Sequence, residues 1–188
     1  MNYYSNVIPA MIAFLLLTGC STMPEIPAMV PHDISSLTRI SDKTLEVAEV
    51  IGGEKTDSMQ FSKIENEGFR QALIETMNKS NLFREIQIDQ VGYEGYKLEA
   101  EILSQELKPG FEMIATVFVR YKLTDTKEGK TVWSENILSQ HIPLFSEAFL
   151  GPVRARKANE GAVRDNLTQL VKKLSEILAH TSLNQIKK

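Results

Sequence analysis

The chain has 188 residues, 43% of them hydrophobic and 24% charged, with a formal net charge of −3. This length suits one domain, and the hydrophobic share is large enough for a core. A nucleic-acid-binding face needs a strong excess of positive charge, and three His with no usable Cys exclude a Cys/His metal cage, so we expect neither nucleic acid nor a metal.

The first 19 residues are typical of a signal peptide. Residues 7–17 form an apolar run that is shorter than the roughly 20 apolar residues of a membrane-spanning helix. Residues 1–6 contain no Lys or Arg, which departs from the usual positive start of such a peptide. We therefore predict a removable leader over residues 1–19 rather than a permanent span.

Cys20 follows Leu16-Leu17-Thr18-Gly19, an order that matches the bacterial lipobox. In lipobox proteins the signal peptidase cuts before the cysteine, whose sulfur carries diacylglycerol and whose new amino group is acylated, as with palmitate. A lone cysteine cannot form an internal disulfide, so burial as a small apolar residue is the weaker alternative. We predict a covalent lipid on Cys20, no other cofactor, and a membrane as the first partner.

Residues 20–43 are predicted to be a lipidated, flexible tether. The segment contains Pro24, Pro27 and Pro31, and proline fixes φ and removes a hydrogen-bond donor. Such a tether would hold the domain some distance from the bilayer; the alternative is a strand that docks a partner. In enterobacterial lipoproteins Asp after the cysteine favours the inner membrane, so Ser21 predicts the outer membrane, with the domain facing the periplasm.

The single domain predicted over 44–188 begins with a strand and a helix. The strand covers 44–51 and is stopped by two glycines. The helix begins at Ser62, because Ser62 and Glu65 have the spacing of a capping box, and it ends before Asn81, a residue that tolerates the left-handed conformation.

Three further strands are predicted as an antiparallel meander over 96–106, 111–124 and 131–142. The first alternates apolar and charged residues, which indicates one buried and one solvated face. The second alternates in the same way. Its predicted buried side comprises Phe111, Met113, Ala115, Val117, Val119, Tyr121 and Leu123.

A long helix is predicted from Pro152 to about His180, since its apolar residues recur at i, i+3 and i+4. Asn159 and Asn166 lie two turns apart on it; we expect them on the surface, the alternative being hydrogen bonds to strand ends or to a second subunit. The predicted fold class is α+β, in the order strand–helix–strands–helix, with an antiparallel-rich sheet and two helices packed on one face.

At this level the chain resembles a group of bacterial periplasmic lipoproteins and assembly factors. The group includes the amino-terminal domain of TolB, the curli-secretion lipoproteins and small auxiliary lipoproteins of transport and envelope-assembly machines. The likeness rests on the lipobox, on the element order across 44–180 and on one hairpin. The residues of that hairpin are Tyr121-Lys122-Leu123-Thr124-Asp125 and Gly129-Lys130-Thr131-Val132-Trp133. The resemblance implies a non-enzymatic role at the outer membrane.

The connection between the last strand and the last helix is the best candidate for a partner-binding site. Its candidate residues are Phe145, Phe149, Leu150, Arg154, Arg156, Lys157 and Arg164. Positive charge in a first helical turn opposes the helix dipole by about 0.3–1 kcal/mol per charge, and aromatic residues beside arginine suit a protein interface or a lipid-headgroup region. The alternative is a structural loop that covers the sheet edge, with Arg156 paired to Glu160 at i+4.

Catalysis is not expected, because the sequence contains no motif of a nucleophile, a phosphate-binding loop or a zinc protease. A hydrolase would require a cleft that joins His141 to a serine and a carboxylate.

The function that we predict is a non-catalytic binding or assembly accessory of an envelope export or assembly machine, with an envelope protein as partner and with homo-oligomers left open. The alternative is a periplasmic carrier or sensor that holds a small apolar ligand in a pocket between helices and sheet. Such a pocket would be lined by Phe111, Met113, Trp133 and Leu170.

Overall fold

The computed structural model describes residues 23–34, 39–56, 62–88, 93–148 and 150–186, with side chains as far as residue 181. The predicted leader, Cys20 and Phe149 lie outside the described residues. The elements in chain order are α1 (Ile26–Met29), β1 (Thr44–Ile51), α2 (Asn66–Ser80), β2 (Glu85–Gln87), β3 (Gly95–Lys108), β4 (Ile114–Asp125), β5 (Lys130–His141) and α3 (Gly151–Ile186). A short 3₁₀ turn, Phe145–Glu147, joins β5 to α3.

The described strands form one five-stranded sheet in the order β2-β1-β3-β4-β5. β1 pairs parallel with β2 and with β3, whereas the longer pairings of β3 with β4 and of β4 with β5 are antiparallel. The predicted α+β class with a mostly antiparallel sheet is therefore confirmed. The parallel strand β1 is connected through α2, since parallel neighbours cannot be joined by a tight turn.

The period-two pattern predicted the buried side of β4 correctly from Met113 to Leu123. The prediction for Phe111 was wrong, because this side chain is 85% exposed. β4 begins only at Ile114, and Phe111 belongs to the connection that Pro109 starts. Proline cannot donate to a strand ladder, so the alternation does not extend back through this turn.

α2 begins at Asn66, four residues later than predicted. The capping box is absent: the Ser62 hydroxyl is buried without a partner among the described residues, and the Glu65 carboxylate accepts the N–H of Thr56 at 3.2 Å. The helix ends as predicted at Asn81, which adopts φ 53° in the left-handed region.

The two longer helices contribute to one core with the sheet. α2 packs against β1, and α3 packs against β4 and β5. The contact side of α3 is small at its start, with Ala155, Ala158 and Ala162 fully buried, and bulky further on. Along the described residues no helix combines the length and the apolar content that crossing a bilayer requires.

The prediction that residues 24–34 belong to an extended tether was wrong. α1 begins with proline in its first turn, a position that suits the fixed φ of proline, and Met29, Val30 and Ile34 are buried against the domain. Their burial removes apolar surface from water, which a flexible tether would leave exposed. The folded unit therefore begins before the predicted boundary at residue 44.

Candidate interaction surface

Residues 24–34, which we call the N-terminal segment, are bound to α3 by polar contacts. The backbone N–H of Glu25 donates to the Glu160 carboxylate at 2.9 Å, and Arg156 pairs with the carboxylates of Glu25 and, at 3.6 Å from its Nε, of Glu160. Burial raises the pKa of Glu160, an effect that the Glu25 N–H and Arg156 partly oppose. The i+4 pairing of the structural alternative is therefore present, and Arg156 serves to hold the chain's own N-terminal segment.

Arg154 and Arg164 also have partners within the chain. Arg154 is only 7% exposed; its Nη2 donates to the carbonyl of Phe111 at 3.0 Å, and its guanidinium lies 5.0 Å from the ring centre of Phe145. Arg164 donates to the carbonyl of Ala28 at 3.0 Å. The positive charges near the helix start are explained by these acceptors and by a cation–π contact.

The apolar side chains around Arg154 remain on the surface. Phe111 stacks on Phe145 with ring centres 5.9 Å apart, so the β3–β4 turn and the connection after β5 meet. We call the exposed group the terminal patch. Its members and exposed fractions are Phe111 85%, Ile142 48%, Leu144 67%, Phe145 49% and Leu150 63%.

The predicted site is thus divided by the structure. Phe145 and Leu150 are exposed in the terminal patch, Lys157 is half-buried, and the three arginines hold other parts of the chain. Sequence reasoning missed Phe111, Ile142 and Leu144. The signal for Phe111 was its position directly after Pro109-Gly110, where a turn places a side chain outside the strand pattern.

The face of the sheet opposite the core carries a ladder of charges. Glu99 pairs with Lys122 and Glu101 with Arg120 across β3 and β4, each at 2.8 Å. These side chains are partly exposed, so each pair contributes only about 0–1 kcal/mol. They border an open groove of about 600 Å³. We call this surface the outer face; its groove is lined by Glu46, Ala48, Glu49, Ile51, Lys97, Glu99, Ala100, Glu101, Arg120 and Lys122.

The structure places His141 beside a carboxylate but not in a catalytic arrangement. Its Nδ1 lies 3.0 Å from the carboxylate of Asp165, and its ring lies against the backbone of Gly161. The nearby Ser139 hydroxyl donates to the carbonyl of Ala162 at 2.8 Å, so it has no free proton to give to an imidazole. The pair joins β5 to α3, and the described residues contain no group of His, Cys, Asp and Glu suited to a metal ion.

The pocket of the carrier alternative does not form. Leu170 is fully buried and Met113 is 5% exposed, whereas Phe111 lies on the surface and Trp133 only packs against the edge of the core. The four residues therefore do not surround one enclosed space, and dense packing occupies the region between α3 and the sheet.

No family model matches the sequence, and no curated protein matches it. Among solved structures, protein XCC0632 of the DUF330 family from Xanthomonas campestris has TM-score 0.60 at 14% identity, over 82% of this chain and 94% of that chain. The PelC dodecamer from Paraburkholderia phytofirmans has TM-score 0.48 at 16% identity, over 77% and 93%.

A minor lipoprotein from Acinetobacter baumannii has TM-score 0.42 at 10% identity, over 71% of this chain and 93% of that chain. At these identities the likeness to XCC0632 shows the fold alone. Bacterial lipoproteins are present among the similar structures, while the specific likeness to the TolB domain stays a prediction.

Proposed function

We propose that this chain is a lipid-anchored, non-catalytic accessory protein of the bacterial envelope, which binds a protein of an export or assembly machine on the periplasmic side of the outer membrane. The observation that carries the proposal is the outer face. Its open groove of about 600 Å³ is bordered by charges of both signs, and it is too shallow and solvated for a reaction that must exclude water.

The outer face suits a protein partner better than a small molecule. Small-molecule sites are concave and mostly apolar, whereas this groove combines Ala48 and Ala100 with a ladder of ion pairs. Charges of both signs along two strands can fix the register of a protein partner of complementary pattern. We place protein contact here rather than on Arg154 or Arg156, because those two side chains already have partners within the domain.

The lipobox at Cys20 supports the anchor. A lipid on Cys20 would confine the domain to one membrane surface and so raise its local concentration near a partner in that membrane. Association, not turnover, is then the work that the protein performs.

The test is in-cell crosslinking of the full lipidated chain through a photoreactive amino acid at Ile51, a side chain of the outer face that is 55% exposed. We expect a crosslinked envelope protein, and we expect its loss when Arg120 and Lys122 are both changed to Glu, because complementarity is reversed. The matched control is Lys172→Glu, since Lys172 is exposed on α3.

Loss of capture with an unchanged melting temperature supports the proposal. Equal capture by the double variant and the control would contradict the assignment of the outer face. Intact-mass measurement of protein from a lipoprotein-processing host tests the anchor separately: an unmodified thiol at Cys20 with the leader still attached would contradict it.

A further inference from the structure

The N-terminal segment runs parallel to α3. Glu25 contacts Arg156 and Glu160, while Ala28 contacts Arg164 one turn further along the helix. Residues 31–34 continue in the same direction, because they line one cavity of about 210 Å³ together with Arg164, Asp165 and Thr168. Read backwards from Glu25, the segment therefore points towards the start of α3 at Gly151.

The lipidation site is close to the folded domain. Three residue steps separate Cys20 from Met23, the first described residue, and consecutive Cα atoms are about 3.8 Å apart, so they span at most about 11 Å. If Cys20 carries the lipid, as the proposed function holds, the domain cannot stand away from the bilayer. The end of the molecule that lies next to the headgroups is the end where α3 begins.

The terminal patch lies at this same end. Arg154, in the first turn of α3, contacts both Phe111 and Phe145, and Leu150 directly precedes that turn. Only six residue steps, about 9 Å of helix, separate Leu150 from the Arg156 that binds Glu25. Exposed aromatic and aliphatic side chains are thus presented where the anchored segment points.

We propose that the terminal patch inserts into the headgroup region of the leaflet that carries the lipid on Cys20, so that the domain is held against the membrane in one orientation. Aromatic and leucine side chains suit this interface, and a lipid chain with a second contact anchors more firmly than the chain alone. In this orientation the β4–β5 hairpin points away from the bilayer, about 40 Å from the patch at about 3.3 Å per residue of β4.

The charges near the terminal patch predict how the contact depends on lipid type. Arg154 is buried, exposed Lys108 and exposed Glu112 carry opposite charges at the β3–β4 turn, and the Glu147 carboxylate accepts the N–H of Leu144 at 2.9 Å. The patch therefore has no excess of exposed positive charge, and the contact is apolar. Insertion should not depend on the fraction of anionic lipid, in contrast to binding by a basic patch.

The experiment uses the full lipidated chain in vesicles of phosphatidylethanolamine and phosphatidylglycerol. With Cys20 lipidated the chain has no free thiol, so a cysteine introduced by Leu144→Cys, by Leu150→Cys or, as the matched control, by Glu128→Cys in the β4–β5 hairpin accepts a single environment-sensitive fluorophore. Intact mass verifies the lipid before labelling. Quenching is measured with iodide in the water and with a nitroxide near the headgroups of the lipid.

We expect several-fold weaker iodide quenching and several-fold stronger nitroxide quenching at positions 144 and 150 than at 128, with vesicles rich or poor in phosphatidylglycerol. A label at Glu112→Cys should show the same lipid contact and should lose it when Leu144 and Leu150 are both changed to Glu, although the protein still floats with the vesicles.

The contrary outcomes are distinct. If iodide quenches the labels at 144 and 150 as strongly as the label at 128, the proposed orientation is overturned, whereas the lipid anchor on Cys20 is not. Shielding from iodide without nitroxide quenching shows that a second copy of the chain covers the patch, and this also overturns the orientation. An unlipidated chain overturns the proposed anchor, and the orientation with it.

Discussion

At the scale of single residues, Asn166 is the polar group on which the packing of α3 against the sheet depends most directly. Its amide donates to the carbonyl of Ile137 at 3.0 Å and to the hydroxyl of Ser139 at 3.1 Å, and its oxygen accepts the hydroxyl of Tyr121 at 2.7 Å. Burial raises the pKa of Tyr121 well above its ordinary value, so the phenol keeps the proton that it donates. The expectation that Asn159 and Asn166 lie on the surface was wrong, because they are only 3% and 0% exposed.

We predict that Asn166→Leu lowers the free energy of unfolding by about 2–4 kcal/mol, because the partners in the sheet stay buried without a hydrogen bond. Tyr121→Phe should cost about 1–2 kcal/mol. Urea unfolding of both single variants and of the double variant measures the coupling. Because the two side chains share one bond, the double variant should lose less than the sum; strict additivity would contradict the network.

The Lys43–Asp125 pair predicts a dependence of stability on pH. Burial alone would raise the pKa of Asp125, but the Lys43 ammonium at 2.6 Å and the N–H groups of Glu128 and Lys127 lower it. Because the folded pKa is below the unfolded one, the stabilisation is present above the unfolded pKa, about 4, and is lost as the pH falls through the folded pKa.

Urea midpoints measured between neutral and acid pH should therefore decline in acid, and Asp125→Asn should reduce that decline. Exposed Glu128, changed to Gln, is the control that should leave the slope as it is. An identical acid slope in Asp125→Asn and in the parent would count against this role for the pair.

At the scale of elements, the approach of α3 to β5 depends on the absence of a side chain at Gly161. A Cβ at this position would lie 2.1 Å from the ring of His141, which is held by Asp165. We predict that Gly161→Ala lowers the free energy of unfolding by about 1–3 kcal/mol through overpacking, despite the better helix propensity of alanine.

In a His141→Ala background the same change should raise the free energy of unfolding by about 0.5–1 kcal/mol, because only the helix propensity remains. Thermal and urea unfolding of the four proteins check the reversal of sign. A change of the same sign in both backgrounds would show that backbone packing, and not the imidazole, limits the approach.

The N-terminal segment is the second element whose role can be tested. Met29 is 1% exposed, so Met29→Ala should lower the free energy of unfolding by about 2–4 kcal/mol through a cavity. Met23, 49% exposed, is the matched control and should change it by less than about 0.5 kcal/mol. If the changes at Met29 and Met23 both left the urea unfolding free energy nearly unchanged, the segment would not be docked and the prediction of an extended tether would stand.

At the scale of the whole molecule, the sequence patterns predicted which faces of the strands and helices are buried, because burial follows the period of each element. Alternation gave the buried side of β4, and the helical stripe gave the face of α3 that meets the sheet. The docking of segment 24–34 was not predicted, because its buried residues Met29, Val30 and Ile34 follow no helical or strand period and the segment also contains three prolines. The pairing of Arg156 with Glu160 could be read from the i+4 spacing, but the contacts of Arg156 with Glu25 and of Arg164 with Ala28 could not, since these partners lie in that segment, 131 and 136 residues away.

The two ends of the described chain meet along α3, and this has a consequence for folding. The β3–β4–β5 meander joins neighbours in sequence and can form early, whereas the Glu25–Glu160 contact closes a loop of 135 residues. A growing or translocating polypeptide cannot complete that closure until its last helix has emerged. The segment nearest to Cys20 is therefore the last to dock, and it stays accessible until the domain is complete.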